Sequence, residues 1–211
     1  MNLVLGKFTP EHFSRFSKKF GSVEVELKSY LTWNSRDRLK FRNWIEKKEI
    51  GVVPRLTLRT SRSCEEFQDL FSAAKDEFQG RLRFFSISSG RKRFDSGQDE
   101  RSHREFRAAV ESGGAGLWFE WGEEDHPLST AWIHAAYPEA GMLIDLDAHW
   151  KYIAKAGPLL HFKLHGWHPE RWMRRYGETL IRKYRKRMEL HPESLLILAH
   201  SGRIEEAPEF A

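Results

Sequence analysis

The stretch LLHFKLHG, residues Leu159–Gly166, alternates apolar and polar residues from Leu160 onward. Successive side chains of a strand point to opposite faces, so Leu160, Phe162 and Leu164 share one face and His161, Lys163 and His165 the other. The pattern recurs along the chain. VEVEL sets Glu24 and Glu26 against Val23 and Val25, and PRLTLR groups Arg55, Thr57 and Arg59. LWFEW opposes Glu120 to Phe119 and Trp121, and MLIDL opposes Asp145 to Ile144 and Leu146. Strands of a parallel sheet are ordinarily apolar on both faces. Here the apolar face must meet helices, which leaves the charged face only the interior of a closed sheet.

Working outward, β-like runs alternate with longer helix-like segments. Strands are expected at Leu3–Leu5, Val23–Leu27, Pro54–Arg59, Leu82–Ile87, Leu117–Trp121, Met142–Leu146, Leu159–Leu164 and Leu195–Ala199. Helices are expected at Glu11–Lys19, Ser35–Lys48, Cys64–Phe78, Ser102–Glu111, Pro127–Ala136, Ala148–Lys155 and Pro169–Leu190. Alternation of this kind indicates βαβ units, and eight of them predict closure into a TIM-type (β/α)8 barrel of parallel strands. With the end at Ala211, the last helix is expected to be truncated and residues 1–211 to form one domain. Thr9-Pro10 reads as a helix start, and Gly21, Gly80 and Gly157 as helix stops. The polar stretch SSGRKRFDSGQDE, Ser88–Glu100, is the one long loop candidate.

Composition narrows the function classes. The apolar content of 40% supports a real core. The lone cysteine, Cys64, rules out an internal disulfide and fits a reducing, cytoplasmic setting. No apolar run approaches the ~20 residues of a membrane helix, so no membrane partner is expected. There is no GxGxxG, Walker loop or HExxH, so no metal is assigned and the cofactor stays unknown. The net charge of +5 leans towards anionic partners.

In this fold chemistry sits at the C-terminal mouth of the barrel. The expected catalytic group is Glu24 or Glu120 as base, Lys163 to stabilise negative charge and His165 to shuttle a proton. Arg59, Trp121, Asp145, Gly166, Trp167, His200 and Gly202 follow at strand ends as candidate ligand contacts, the two glycines as phosphate cradles. The same charges read equally as ion pairs filling the lumen, and the glycines as plain turns. Trp33, Trp121, Trp150 and Trp167 read either as stacking platforms or as caps on the core. The segment RWMRRYGETLIRKYRKR, Arg171–Arg187, has a single acid, Glu178. Its Arg171, Arg174, Arg175, Arg182 and Lys183 would track phosphates, or form a solvated outer face. Three functions stay open: an enzyme-like barrel for a small anionic ligand, phosphorylated or nucleic-acid-derived, with acid/base hydrolase or isomerase chemistry; a nucleic-acid-binding module; and a non-catalytic scaffold. Oligomeric state is left open.

Several of these stretches form a recognisable set. LHFKLHGW with the later RRYGETL, FGSVEVELKSY through Phe20, Val23, Glu24 and Tyr30, Trp44, Arg59, and WFEW through Glu120 resemble motifs of the YecE-like family, the domain of unknown function 72. The resemblance implies a barrel fold and a family of unsettled biochemistry. It departs at Lys163, where the family has an arginine, at Trp121, also an arginine there, and at Ala199-His200-Ser201, where the family has an asparagine pair. The opening glycine- and tryptophan-rich loop is almost absent. The chain therefore resembles a divergent, shortened member that keeps Glu24, Glu120, Lys163 and His165.

Overall fold

The computed structural model describes residues 2–14, 20–57, 64–88, 116–120, 141–146, 150, 160–167 and 177–200. Eight parallel strands pair in sequence order and close, β1 against β8. They are β1 Asn2–Gly6, β2 Phe20–Glu26, β3 Gly51–Thr57, β4 Phe84–Ser88, β5 Gly116–Glu120, β6 Gly141–Asp145, β7 Leu160–Trp167 and β8 Leu195–His200. The described helices are α1 Leu27–Leu31, α2 Ser35–Lys48, α3 Cys64–Phe78 and α4 Gly177–Glu189. α2 and α3 have the bounds expected from the sequence. Asn34 caps α2, its side chain accepting from the Asp37 backbone N–H at 2.9 Å.

Local differences have physical reasons. Leu27 begins α1 rather than ending β2, because it turns into the outer apolar layer beside Tyr30, both fully buried. Gly21 is an exposed strand residue of β2, not a helix stop. Thr9 is no conventional cap: its backbone N–H donates to His12 Nδ1 at 3.0 Å, and a short 3-10 turn, Pro10–Ser14, follows. β3 starts three residues before Pro54, placing that proline in the interior of a strand opposite Val25. Proline supplies no ladder donor, so it reads as a strand start in sequence; buried Val52 and Val53 outweigh that. β4 starts at Phe84, and Leu82 makes only an isolated bridge to Val52. The expected helices 102–111 and 127–136, most of 148–155, the loop 89–100, Gly157 and any helix after His200 lie outside the described residues.

The apolar faces meet the helices as one cluster, including Val23, Val25, Leu56, Ile87, Phe119, Ile144, Phe162 and Leu198. The lumen holds the opposite set. Strand register stacks it in layers drawn from alternate strands. Lowest are Ser22, Phe84, Gly141 and Leu195, then Val4, Val53, Trp118 and His161, then Glu24, Ser86, Leu143 and Ile197. Above these come Gly6, Arg55, Glu120 and Lys163, and at the mouth Glu26, Ser88, Asp145 and Ala199. The lower half is an aromatic plug. Trp118 stacks on His161 with ring centroids 3.6 Å apart, and Phe84 sits 4.9 Å from that imidazole. Gly141 makes this possible, since a Cβ there would overlap the Trp118 ring.

Candidate active site

The upper lumen is built from charges that alternation puts inside and the barrel stagger brings together. Lys163 Nζ donates to Glu24 Oε1 at 2.8 Å and to Glu120 Oε2 at 3.3 Å, with all three side chains buried. Arg55 Nε donates to the same Glu120 oxygen at 3.2 Å, and its Nη1 lies 3.6 Å from Glu26 Oε2. Burial pulls the Arg55 pKa down, but Glu120, then Glu24 and Glu26, outweigh it and hold the guanidinium above its ordinary value. The result is a chain of charges, Glu24–Lys163–Glu120–Arg55–Glu26, rising from the barrel interior to the mouth.

One atom in this chain is left over. Glu24 Oε2 is buried and has no hydrogen-bond partner among the described residues. An ionised oxygen in that state is costly unless something visits it. Glu24 is one of the residues lining a cavity of about 90 Å³. The charged Glu26, Arg55 and Lys7, the apolar Phe8 and Trp33, and Thr9 and Ser29 complete the lining. Lys7, the first residue after β1, holds a left-handed φ of 54°. A non-glycine residue there is uncommon and such strain gathers at functional sites.

The structure thus joins three sequence candidates, Glu24, Glu120 and Lys163, in one network. His165, Gly166, Trp167 and His200 are placed by backbone at the C-terminal ends of β7 and β8, where Trp167 and His200 are register partners. Asp145 is buried at the end of β6, in register with Lys163. Arg59, Trp121 and Gly202 lie outside the described residues, as do Arg171, Arg174 and Arg175. Trp33 is half-buried, 5.0 Å from Tyr30 and 5.7 Å from Phe41 between ring centroids, so it caps the core while its other side faces the cavity. Trp150 also packs, tilted on Phe162 and covered by the Arg187 guanidinium at 4.3 Å.

Lys7, Thr9 and Ser29 escaped the sequence reading because they sit on loops and a short helix, outside the strand alternation that marked the others. No pattern in the sequence signals the positive φ of Lys7. Among the described residues no three His, Cys, Asp or Glu side chains gather as a metal-binding group. Arg182 and Lys183 stand apart from the mouth on α4, exposed, while Tyr184 and Met188 of that helix are buried in the core. No described helix is long and apolar enough to cross a membrane.

Comparisons bear on the fold. No family model matches the chain, and no curated protein matches it. Solved structures do. D-psicose 3-epimerase from Clostridium cellulolyticum H10, with D-tagatose, aligns at TM-score 0.67 and 10% identity, covering 98% of this chain and 88% of its own. A xylose isomerase domain protein from Planctomyces limnophilus aligns at 0.61 and 13%, covering 94% and 90%. A 3-keto-D-glucoside 4-epimerase from E. coli aligns at 0.63 and 8%, covering 97% and 92%. At such identities the likeness establishes the TIM-barrel architecture. Roles of individual residues rest on the geometry above.

Proposed function

We propose that the mouth cavity binds a small hydroxy-carbonyl compound carrying an anionic group, and that Glu24 isomerises or epimerises it by acid/base chemistry. The observation that carries this reading is Glu24, a buried carboxylate that lines the cavity and has one oxygen without a hydrogen-bond partner among the described residues. In the proposed step Glu24 Oε2 takes the proton from the carbon beside the carbonyl. The C–H electron pair becomes the new C=C bond and the carbonyl π pair moves onto oxygen, giving an enediolate. Arg55, which lines the cavity, neutralises that oxygen. Reprotonation at the same or the neighbouring carbon, with His165 as the proposed donor, yields epimer or isomer.

Lys163 does not belong to the cavity wall. It spends two donors on Glu24 and Glu120, so it acts as a positioning residue that fixes the Glu24 carboxylate through Oε1. Lys7, an exposed cation that lines the cavity outside the network, is the proposed contact for the anionic substituent. The sugar epimerases and isomerases among the structural neighbours act on hydroxy-carbonyl compounds by name, which is in keeping with this class of ligand. Resemblance of the Glu24, Glu120, Lys163 and His165 stretches to YecE-like motifs supports placing the chain as a divergent relative of that family.

The test is solvent exchange. Ketoses and their phosphate esters are incubated with the protein in D2O, and deuterium at the carbon beside the carbonyl is followed by NMR. The expected result is exchange that Glu24→Gln lowers by at least ~100-fold, the ordinary scale of general-base catalysis, while the melting profile stays cooperative. Exchange unchanged in Glu24→Gln, or absent with every compound, overturns the proposal.

A further inference from the structure

The larger concavity described in the molecule is not at the mouth. It is a groove of about 390 Å³ along α4, lined by Arg182, Lys183, Lys186, Arg187 and Leu190. We propose that this groove is a docking surface for the phosphodiester backbone of a nucleic acid, independent of the mouth chemistry.

Three of these cations carry the proposal. Arg182, Lys183 and Lys186 are exposed, and none has an acidic partner among the described residues. They lie within one turn of helix, with Arg182 and Lys186 about 6 Å apart along the axis, a span comparable to two phosphates of one strand. Arg187 stiffens the groove. Its Nη1 donates to the Leu146 carbonyl at 2.6 Å, and its guanidinium lies 4.3 Å from the Trp150 ring centroid and 5.7 Å from that of Tyr184. The charges therefore stand on a helix packed into the core through Tyr184 and Met188 and not on a loose basic tail.

The alternatives to nucleic acid fit less well. A helix lying on an anionic membrane must offer an apolar face to the acyl boundary. The apolar face of α4 is already used, since Tyr184 is fully buried and Met188 is 4% exposed in the barrel core. Leu190 is the one large apolar side chain exposed in the groove. A protein partner would ordinarily seat aromatic or aliphatic anchors at the centre of its interface. Here four of the five lining residues are cations and Leu190 is the one apolar residue among them. Backbone phosphates need only charge and donors, so binding would be independent of base sequence and steeply dependent on salt.

The experiment measures fluorescence anisotropy of labelled 20-nucleotide RNA and DNA, single- and double-stranded, between 50 and 300 mM salt. The full chain is compared with the triple variant Arg182→Gln, Lys183→Gln, Lys186→Gln. These exposed positions accept Gln without loss of packing, and a melting curve confirms it. The unmodified chain is expected to bind, and the variant to bind at least ~10-fold more weakly at 50 mM salt with a slope of log K against log salt flatter by ~2–3 units. The RNA and DNA arms report which backbone is preferred. Glu24→Gln, at the separate mouth, should leave both curves in place. Lack of binding at 50 mM salt overturns the proposal. So does an unchanged salt slope in the triple variant. Tighter binding to vesicles containing phosphatidylserine than to any oligonucleotide also overturns it, in favour of a lipid surface.

Discussion

The two halves of the barrel lumen are filled by opposite means. The N-terminal half is closed by Val4, Val53 and Phe84, under Leu143 and Ile197 of the middle layer, with Trp118 lying flat on His161. Its one polar ring is tied in, His161 Nδ1 accepting from the Leu195 backbone N–H at 3.3 Å. The C-terminal half holds Glu24, Glu120, Lys163 and Arg55 in a connected ion network with one carboxylate oxygen unanswered among the described residues. Stability alone would favour an apolar fill throughout, since a buried ion pair seldom outperforms well-packed hydrophobic residues of similar volume. The lower half follows that rule and the upper half breaks it. The break occurs at the end where TIM barrels place their chemistry, which is the ground for placing the proposed site there.

The comparison can be broken most directly at Lys163. Lys163→Met strands Glu24 with neither oxygen paired, and is expected to lower unfolding free energy by ~3–5 kcal/mol in guanidinium denaturation. Adding Glu24→Gln should return most of that loss. A single variant that loses under ~1 kcal/mol would mean that water reaches the network and that it is not a buried one. Trp118→Ala is the matched change in the lower half. It should cost about 3 kcal/mol through lost packing, with ligand affinity at the mouth unchanged in calorimetric titration. Loss of affinity there would show the halves to be coupled.

A smaller effect is expected outside the barrel, behind the cavity wall. Tyr30 is buried and donates its hydroxyl to Glu77 Oε1 at 2.5 Å. Burial first, then that hydrogen bond and the Glu77 charge, push its pKa above the ordinary value. A raised pKa means that its stabilisation is fully present below the unfolded value, ~10, and is lost as pH rises beyond it. Tyr30→Phe should therefore cost ~1.5–3 kcal/mol at pH 8. It should also flatten the fall in melting temperature between pH 9.5 and 11; an equally steep fall in the variant would refute the assignment. The smallest effect is expected at Glu26→Gln. The Glu26 side chain is 34% exposed and its contact with Arg55 is long, so stability should change by less than ~1 kcal/mol. If it lines the ligand cavity as described, ligand affinity should change more than stability does.

How much of this was legible in the sequence depends on the kind of residue. Alternation in Val23–Glu26 and Leu160–Lys163 assigned the faces, because a strand's period of two leaves no other choice once one face is apolar. The bounds of α2 and α3 followed from equally local signals. Pro54 misled, since a rule about single strands gave way to burial of the two valines before it. Lys7, Thr9 and Ser29 gave no sign, since such a lining residue is chosen by where a loop passes.

By itself the sequence determined eight β-runs alternating with helical segments, five of the runs with charges or histidines on one face and apolar residues on the other, which predicts closure with that face inside, and a basic segment at Arg171–Arg187. Which charge meets which was decided by the tertiary structure alone. Lys163 and Glu24 are 139 residues apart in the chain and come from β7 and β2, strands that are not neighbours. They touch because the stagger of a closed barrel lifts each strand relative to the next, so that interior layers draw their members from alternate strands. Alternation is a local property and survives in one dimension. Stagger belongs to the closed sheet, and it left one oxygen of Glu24 buried without a partner among the described residues.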